Sequence, residues 1–256
     1  MTIREFLRVI DSFAPFALAE SWDNSGLMFG SYDSDVKRVA IALDPVAEAV
    51  ISASENHCDV LLTHHPLIFR AIKNINLDSD LGRAIYESAR RDVSIISAHT
   101  NWDSAESGVN ATLAELLGLR EVSRLTCEAN YGLVGNLPEK ISLEDLLMRI
   151  KSCWNLSRLD CYNPRENLRR VALCGGSGAE FWRAARDSGA DIYVTADMKY
   201  HEIIDATKSG LTLAIPEHGE MERASLPKLA EKIRGINPEL EIILLDVKAL
   251  REPIRI

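Results

Sequence analysis

No stretch of the 256 residues stays apolar for anything near the roughly 20 positions that a helix needs to cross a bilayer. The opening Met1-Thr2-Ile3-Arg4-Glu5 has no signal-peptide pattern either. No membrane role and a cytoplasmic location are therefore expected. Positive charge is scarce: 29 Lys and Arg face 38 Asp and Glu, for a net charge of −9, and no basic run stands out. That balance argues against a grip on nucleic acid phosphates. The five cysteines (Cys58, Cys127, Cys153, Cys161 and Cys174) are odd in number and include no C-x-x-C pair. They point away from a disulfide framework and toward buried, reduced thiols. What is present is 46% hydrophobic residues, enough for a folded core in one large domain or two of roughly 100–150 residues.

Apolar periodicity supplies the elements. Thr2 and Glu5 form a capping box ahead of Ile3, Phe6, Leu7, Ile10 and Phe13 at helical spacing. The polar segment from Glu20 to Leu27 reads as a loop. Strands are expected at Arg38 to Leu43, Val60 to Thr63 and Val93 to Ser97, and helices at Val46 to Glu55, about Leu81 to Arg90 and Asn110 to Leu117. Tyr131 to Leu137 looks extended, Pro138-Glu139-Lys140 reads as a turn, and Ser142 with Asp145 caps a helix to about Cys153. Strands alternating with helices indicate an α/β protein.

An internal repeat organises these elements. Residues 38–63 lie over residues 170–195 at an offset of 132 without a gap, and eight of the 26 pairs are identical. The identities include Arg38, Val39, Ala40, Asp59 and Thr63. Further on, Val93 to His99 resembles Thr212 to His218, and each His has an acid four residues later, Asp103 and Glu222. The expected architecture is α/β: two similar, intertwined units from an internal duplication, with mixed sheets flanked by helices. Their division is placed at 1–126 and 127–256.

Ligands of such units collect beyond the carboxyl ends of the strands, and there the polar residues gather. Val60 to Thr63 ends in His64-His65-Pro66, Val93 to Ser97 leads to His99 and Asp103, and the matching second-copy strand leads to His218 and Glu222. Four of the six histidines lie at these ends. Pro66 favours extended backbone at His65, so the adjacent imidazoles are expected to diverge and serve two neighbouring ions. His218 and Glu222, at i and i+4, share a face if a helix starts there. Glu222 and Asp103 could each bridge two ions. Imidazole with carboxylate suits zinc, manganese, iron or a similar divalent ion. The segment Cys174-Gly175-Gly176-Ser177-Gly178 leaves two readings open: a phosphate cradle formed by Gly175, Gly176 and Gly178 at a helix N-terminus, or a tight turn for close packing. It lacks the Walker ending and the full G-x-G-x-x-G spacing.

Together, Trp22-Asp23-Asn24-Ser25-Gly26-Leu27, Leu62 to Phe69, His99 to Asp103, Cys174 to Gly178 and His218 to Glu222 resemble the Nif-three-like family (NGG-one interacting factor three), the GTP cyclohydrolase I type 2 homologues. The resemblance implies a toroidal homohexamer with two divalent metal ions per subunit. It implies ligands at His64, His65, Asp103, His218 and Glu222, with His99 auxiliary, as a proton shuttle or a group facing substrate. His201 matches a family position to which no role is assigned. Where the family usually has Gly before the second-copy His, this chain has Glu217, an added carboxylate beside the expected site.

Two functions follow from that resemblance. One is a metal-dependent hydrolase of a nucleotide or related small molecule, in which paired ions activate water near neutral pH. The alternative is a metal-binding regulatory or scaffold hexamer without turnover.

Overall fold

A computed structural model describes residues 1–126 and 131–249; Cys127 lies outside them. In chain order the elements begin with helix α1 (Ile3–Phe13), strands β1 (Gly26–Phe29) and β2 (Arg38–Ala42), helix α2 (Ala47–Glu55) and strand β3 (Val60–Thr63). Helix α3 (Asp80–Arg91), strand β4 (Ser94–Ser97), helices α4 (Thr100–Ser104) and α5 (Val109–Leu117) and strands β5 (Arg120–Arg124) and β6 (Leu133–Ile141) follow. Next come helix α6 (Leu143–Cys153), strands β7 (Leu159–Tyr162) and β8 (Leu168–Ser177), helix α7 (Trp182–Asp187), strand β9 (Ile192–Ala196) and helix α8 (Tyr200–Lys208). Strand β10 (Thr212–Pro216), helices α9 (His218–Arg223) and α10 (Leu226–Ile236) and strand β11 (Glu241–Leu244) close the described chain. No helix among these residues is long and apolar enough to cross a membrane.

The chain forms two compact units, but not with the expected boundaries. Unit one comprises Met1–Ala105 together with the chain from Leu226 onward, and unit two is Glu106–Ser225. The division therefore falls at Ala105 rather than at residue 126. Strand β5 pairs with β6 of the second copy, whereas β11 returns to pair with β2 of the first. A sequence repeat marks where copies begin but not which sheet the flanking segments join.

Each unit holds one mixed sheet flanked by helices, ordered β1-β4-β3-β2-β11 in unit one and β5-β6-β8-β9-β10-β7 in unit two. The repeat is visible in the register. Val39 pairs with Val60 across parallel β2 and β3, and Val171 pairs with Ile192 across parallel β8 and β9; both positions are offset by 132. The edge strand beyond is antiparallel in each, β1 on β4 and β7 on β10. Core positions repeat as well. Ala40, Val50, Ala53 and Leu61 are buried together in unit one, as Ala172, Trp182, Ala185 and Tyr193 are in unit two. Small alanines on the sheet let the following helix lie close, and apolar burial of about 25 cal/mol per Å² holds it there.

A carboxylate clip is copied too. Asp59 Oδ2 accepts from the backbone N–H groups of Lys37 (2.7 Å) and Arg38 (2.9 Å). Asp191 Oδ2 accepts from those of Arg169 and Arg170, both at 2.8 Å. The second correspondence is less regular: Val60 pairs with Ser94, but Ile192 pairs with Thr212. By register Thr212 takes the place of Ser94, so His99 stands opposite Glu217 in the comparison, one position before His218.

Local expectations fare variously. The capping box at Thr2 and Glu5 is present, and Ser142 caps α6 by accepting from Asp145 N–H. Gly26 and Leu27, read as loop, open the short edge strand β1. Pro138-Glu139-Lys140, read as a turn, lies within β6, where the pairing with β8 is irregular between Asn136 and Ile141. Proline has no N–H for the ladder and is tolerated at such an interruption. The Gly-rich segment, expected after a strand ending at Leu173, instead continues β8 to Ser177.

Candidate metal centre

In unit one the carboxyl ends of β3 and β4 gather three imidazoles. The backbone around His64 is pinned from both sides: its N–H donates to Ala42 O, the His65 N–H donates to Leu43 O, and Ser97 Oγ donates to the His64 carbonyl at 2.9 Å. One ring nitrogen from each of His64, His65 and His99 lies within 4.8 Å of the others. The adjacent rings of His64 and His65 are tilted against each other, and their Nδ1 atoms turn to different partners, Ala98 O and Asp44 Oδ1. Their centroids are 5.2 Å apart at an interplanar angle of 45°, and His99 stands 5.2 Å from His64. The structure thus brings His99, assigned an auxiliary role from sequence, into the same group. Asp103 Oδ1 is 3.6 Å from His64 Nε2, placed by α4, whose Asp103 N–H donates to His99 O.

Each ring commits Nδ1 to an oxygen. His64 Nδ1 lies 3.0 Å from the Ala98 carbonyl, His65 Nδ1 2.7 Å from Asp44 Oδ1, and His99 Nδ1 2.8 Å from Asp23 Oδ1. A carbonyl or ionised carboxylate only accepts, so Nδ1 carries the proton and the lone pair of the neutral ring is at Nε2. Such outer oxygens orient metal-binding imidazoles. Asp23 is held most firmly. Burial would raise its pKa, but hydrogen bonds from His99, Thr100 and Ser25 hold the carboxyl well below the usual range.

Unit two carries a His–carboxylate pair of its own. A helix does begin at His218, and its Nε2 lies 3.0 Å from Glu222 Oε2 at i+4. His218 Nδ1 lies 2.6 Å from Asp197 Oδ2, just past β9, where Asp197 adopts the left-handed conformation at φ 54°. Burial disfavours the imidazolium, but Glu222 and Asp197 outweigh it and raise the His218 pKa to about 9. Glu217 is occupied elsewhere: it caps α9 by accepting from Glu220 N–H at 2.6 Å.

The glycines of β8 serve packing. A Cβ at Gly176 would come within 2.2 Å of Glu222 Oε1, and one at Gly175 within 2.6 Å of Val109 Cγ1. Two of the N–H groups proposed for a phosphate are engaged, Gly175 with Asn110 Oδ1 and Gly178 with Thr195 Oγ1, each at 2.9 Å. The close-packing reading is the one this geometry supports.

Imidazole and carboxylate donors without thiolate fit a divalent first-row ion. Burial pushes the thiols of Cys58 and Cys153 up to about 11, away from ligation or nucleophilic use. His57 and His201 take no part in the His/carboxylate groups found among the described residues. His57 occupies a left-handed turn at φ 56°, the position of Gly189 in the repeat, and the His201 ring packs against Tyr200 at 5.5 Å.

Asp23, Asp44 and Asp197 were not given roles from sequence. The available signal was positional: Asp44 and Asp197 follow strands directly, and Asp23 lies in a motif quoted for its resemblance alone. Their imidazole partners are 76, 21 and 21 residues away for Asp23, Asp44 and Asp197 respectively.

Comparison with known proteins identifies the family and the fold. The GTP cyclohydrolase 1 type 2 homolog of Clostridium perfringens is 33% identical over 251 residues, covering 95% of this chain and 96% of that one. Reduced HcgD from Methanocaldococcus jannaschii superposes with a TM-score of 0.84 at 30% identity, covering 96% and 98% of the two chains. A Bacillus cereus protein related to NIF3 shares the fold at a TM-score of 0.90 and 23% identity, covering 100% and 99%. The model of the Duf34/NIF3 (NGG1p interacting factor 3) family matches residues 1–250, and the chain belongs to that family.

Proposed function

We propose that this chain is a metal-dependent hydrolase of a nucleotide or related small molecule. In this reading it holds two divalent ions (zinc, manganese, iron or similar) through His64, His65, Asp103, His218 and Glu222. The observation that carries the reading is the anchoring of every imidazole concerned. His64, His65, His99 and His218 each direct Nδ1 to an oxygen, which orients the other ring nitrogen as a ligand does.

When bound, divalent ions supply Lewis acidity and lower the pKa of water. The chain's own residues supply orientation and proton handling. Asp23 fixes the His99 tautomer, so that Nε2 of the neutral ring can take up a proton and return it. Gly176 leaves the room that Glu222 fills beside His218. A toroidal homohexamer and a cytoplasmic location belong to the same proposal; the latter draws support from Cys58, Cys153, Cys161 and Cys174, all thiols. The alternative scaffold reading draws support from the engaged N–H groups of Gly175 and Gly178, which remove one handle for a phosphate.

The name of the Clostridium relative makes GTP the first substrate to try. The test compares GTP turnover by the metal-reconstituted protein with that of its His64→Ala variant. Turnover in the former and its loss in the latter is expected; equal rates would overturn the cyclohydrolase reading. Light scattering gives the assembly mass, and any mass other than six chains ends the hexamer proposal.

A further inference from the structure

Two of the largest apolar side chains in unit one are exposed beside the imidazole cluster. Trp22 is 57% exposed and Phe69 46%. Their ring centroids are 5.8 Å apart at 64°, and the His99 ring lies 6.3 Å from Trp22 and 6.1 Å from Phe69, nearly perpendicular to both. All three pairs meet edge to face.

The arrangement is built from the backbone up. Trp22 precedes Asp23, whose carboxylate is held by His99, Thr100 and Ser25. Phe69 follows Ile68, whose carbonyl accepts from Asn24 Nδ2 at 2.6 Å. Both aromatic residues are thus tethered by an immediate neighbour in sequence. Rings held in fixed relation and left in water are what a binding surface for another ring requires.

We infer that the exposed faces of Trp22 and Phe69 form a stacking surface for a planar heteroaromatic ring of the purine kind, beside His99. A ring fits this surface better than an anionic group, because what Trp22 and Phe69 expose is aromatic and the chain carries a net charge of −9. Aromatic faces accept such rings without regard to charge. The inference rests on the proposed hydrolase reading only in taking the ring to be part of the substrate; binding is measured without turnover.

Trp102, Trp154 and Trp182 are buried, so quenching of tryptophan fluorescence by a ligand bound at the surface reports mainly on Trp22. Guanosine and adenosine should quench it saturably in the full-length protein, and ribose 5-phosphate should not. By calorimetry, Trp22→Ala and Phe69→Ala should each weaken guanosine binding roughly tenfold, and Trp22→Phe should retain most of it. No saturable binding of either nucleoside, or unchanged guanosine affinity in both alanine variants, overturns the inference. So does a fall in assembly mass in those variants with guanosine affinity intact, which would make the pair a contact between copies of the chain. Metal content measured alongside separates the two readings. A protein that binds guanosine but no metal sinks the hydrolase alone, and one that binds metal but no nucleoside sinks the platform alone.

Discussion

Glu222 fills the space that a side chain at position 176 would need. Gly176 has φ of +65°, and a Cβ there would meet Glu222 Oε1 at 2.2 Å and His218 Nε2 at 3.3 Å. A backbone choice on β8 therefore fixes the position of a carboxylate on α9.

Gly176→Ala should accordingly cost about 1–2 kcal/mol in strain from the left-handed backbone alone, and it must also displace Glu222. Lower metal content per chain is expected, with a drop in thermal midpoint. Gly235→Ala is the matched control. Gly235 lies in α10 with nothing within 4 Å of its added Cβ, so that change should stabilise by about 0.5–1 kcal/mol and leave metal content alone.

Asp44 Oδ1 meets the cluster at His65 Nδ1, 2.7 Å away. Asp44→Ala should weaken metal binding by roughly 10- to 100-fold, as loss of an orienting partner does, while urea unfolding of chelator-treated protein shifts by less than about 1 kcal/mol. Asp44→Asn, which keeps an oxygen acceptor, should restore part of the affinity. Equal metal affinity in wild type and Asp44→Ala would show that the contact orients nothing.

Asp23 sets a pH dependence. Its folded pKa is depressed, so in acid the unfolded chain, with an ordinary value of about 3.9, binds the proton more readily. The stabilisation is present above that ordinary value and is lost as pH falls toward the folded one. Urea unfolding between about pH 2.5 and 7 should show stability rising from the acid side up to roughly pH 4–5. Asp23→Asn should flatten that rise.

Asp59 and Asp191 should behave alike. Each accepts two backbone N–H groups at corresponding places in its unit. Asp59→Ala and Asp191→Ala should each cost about 1–3 kcal/mol in urea unfolding, since charge-assisted bonds are lost. A large loss for one and none for the other would break the functional equivalence of the copies.

Those two aspartates also show what the sequence made legible. The offset of 132 is short-range information: strand, helix and strand in one gap-free block, where local propensity and pairing agree. It carried over to the β2–β3 and β8–β9 registers, and to the left-handed turn held by His57 in one copy and Gly189 in the other. The offset between His99 and His218 was read across a longer connection, and the sheet places it one residue differently. Strands β1 and β7 are four-residue edge strands with no fully buried position; β7 is broken by Asp160, and β1, though apolar, is short and follows directly on a polar loop. The aspartates behind the imidazoles were illegible for another reason: an Asp after a strand looks like any turn residue until the loop beside it is known. His64 and His65 are legible as a pair, but the partners of their rings, Ala98 O and Asp44 Oδ1, depend on where β4 and β2 end.

The return of β11 to the sheet of unit one has a consequence for how the protein is made. Glu106–Ser225 is continuous and has all its strands once β10 has left the ribosome. The sheet begun by β1 must wait, with the outer side of β2 uncovered, until Glu241–Leu244 arrives. During synthesis that bare edge is the place where a nascent chain is most open to mispairing, and a stop codon before Glu241 would make the exposure permanent.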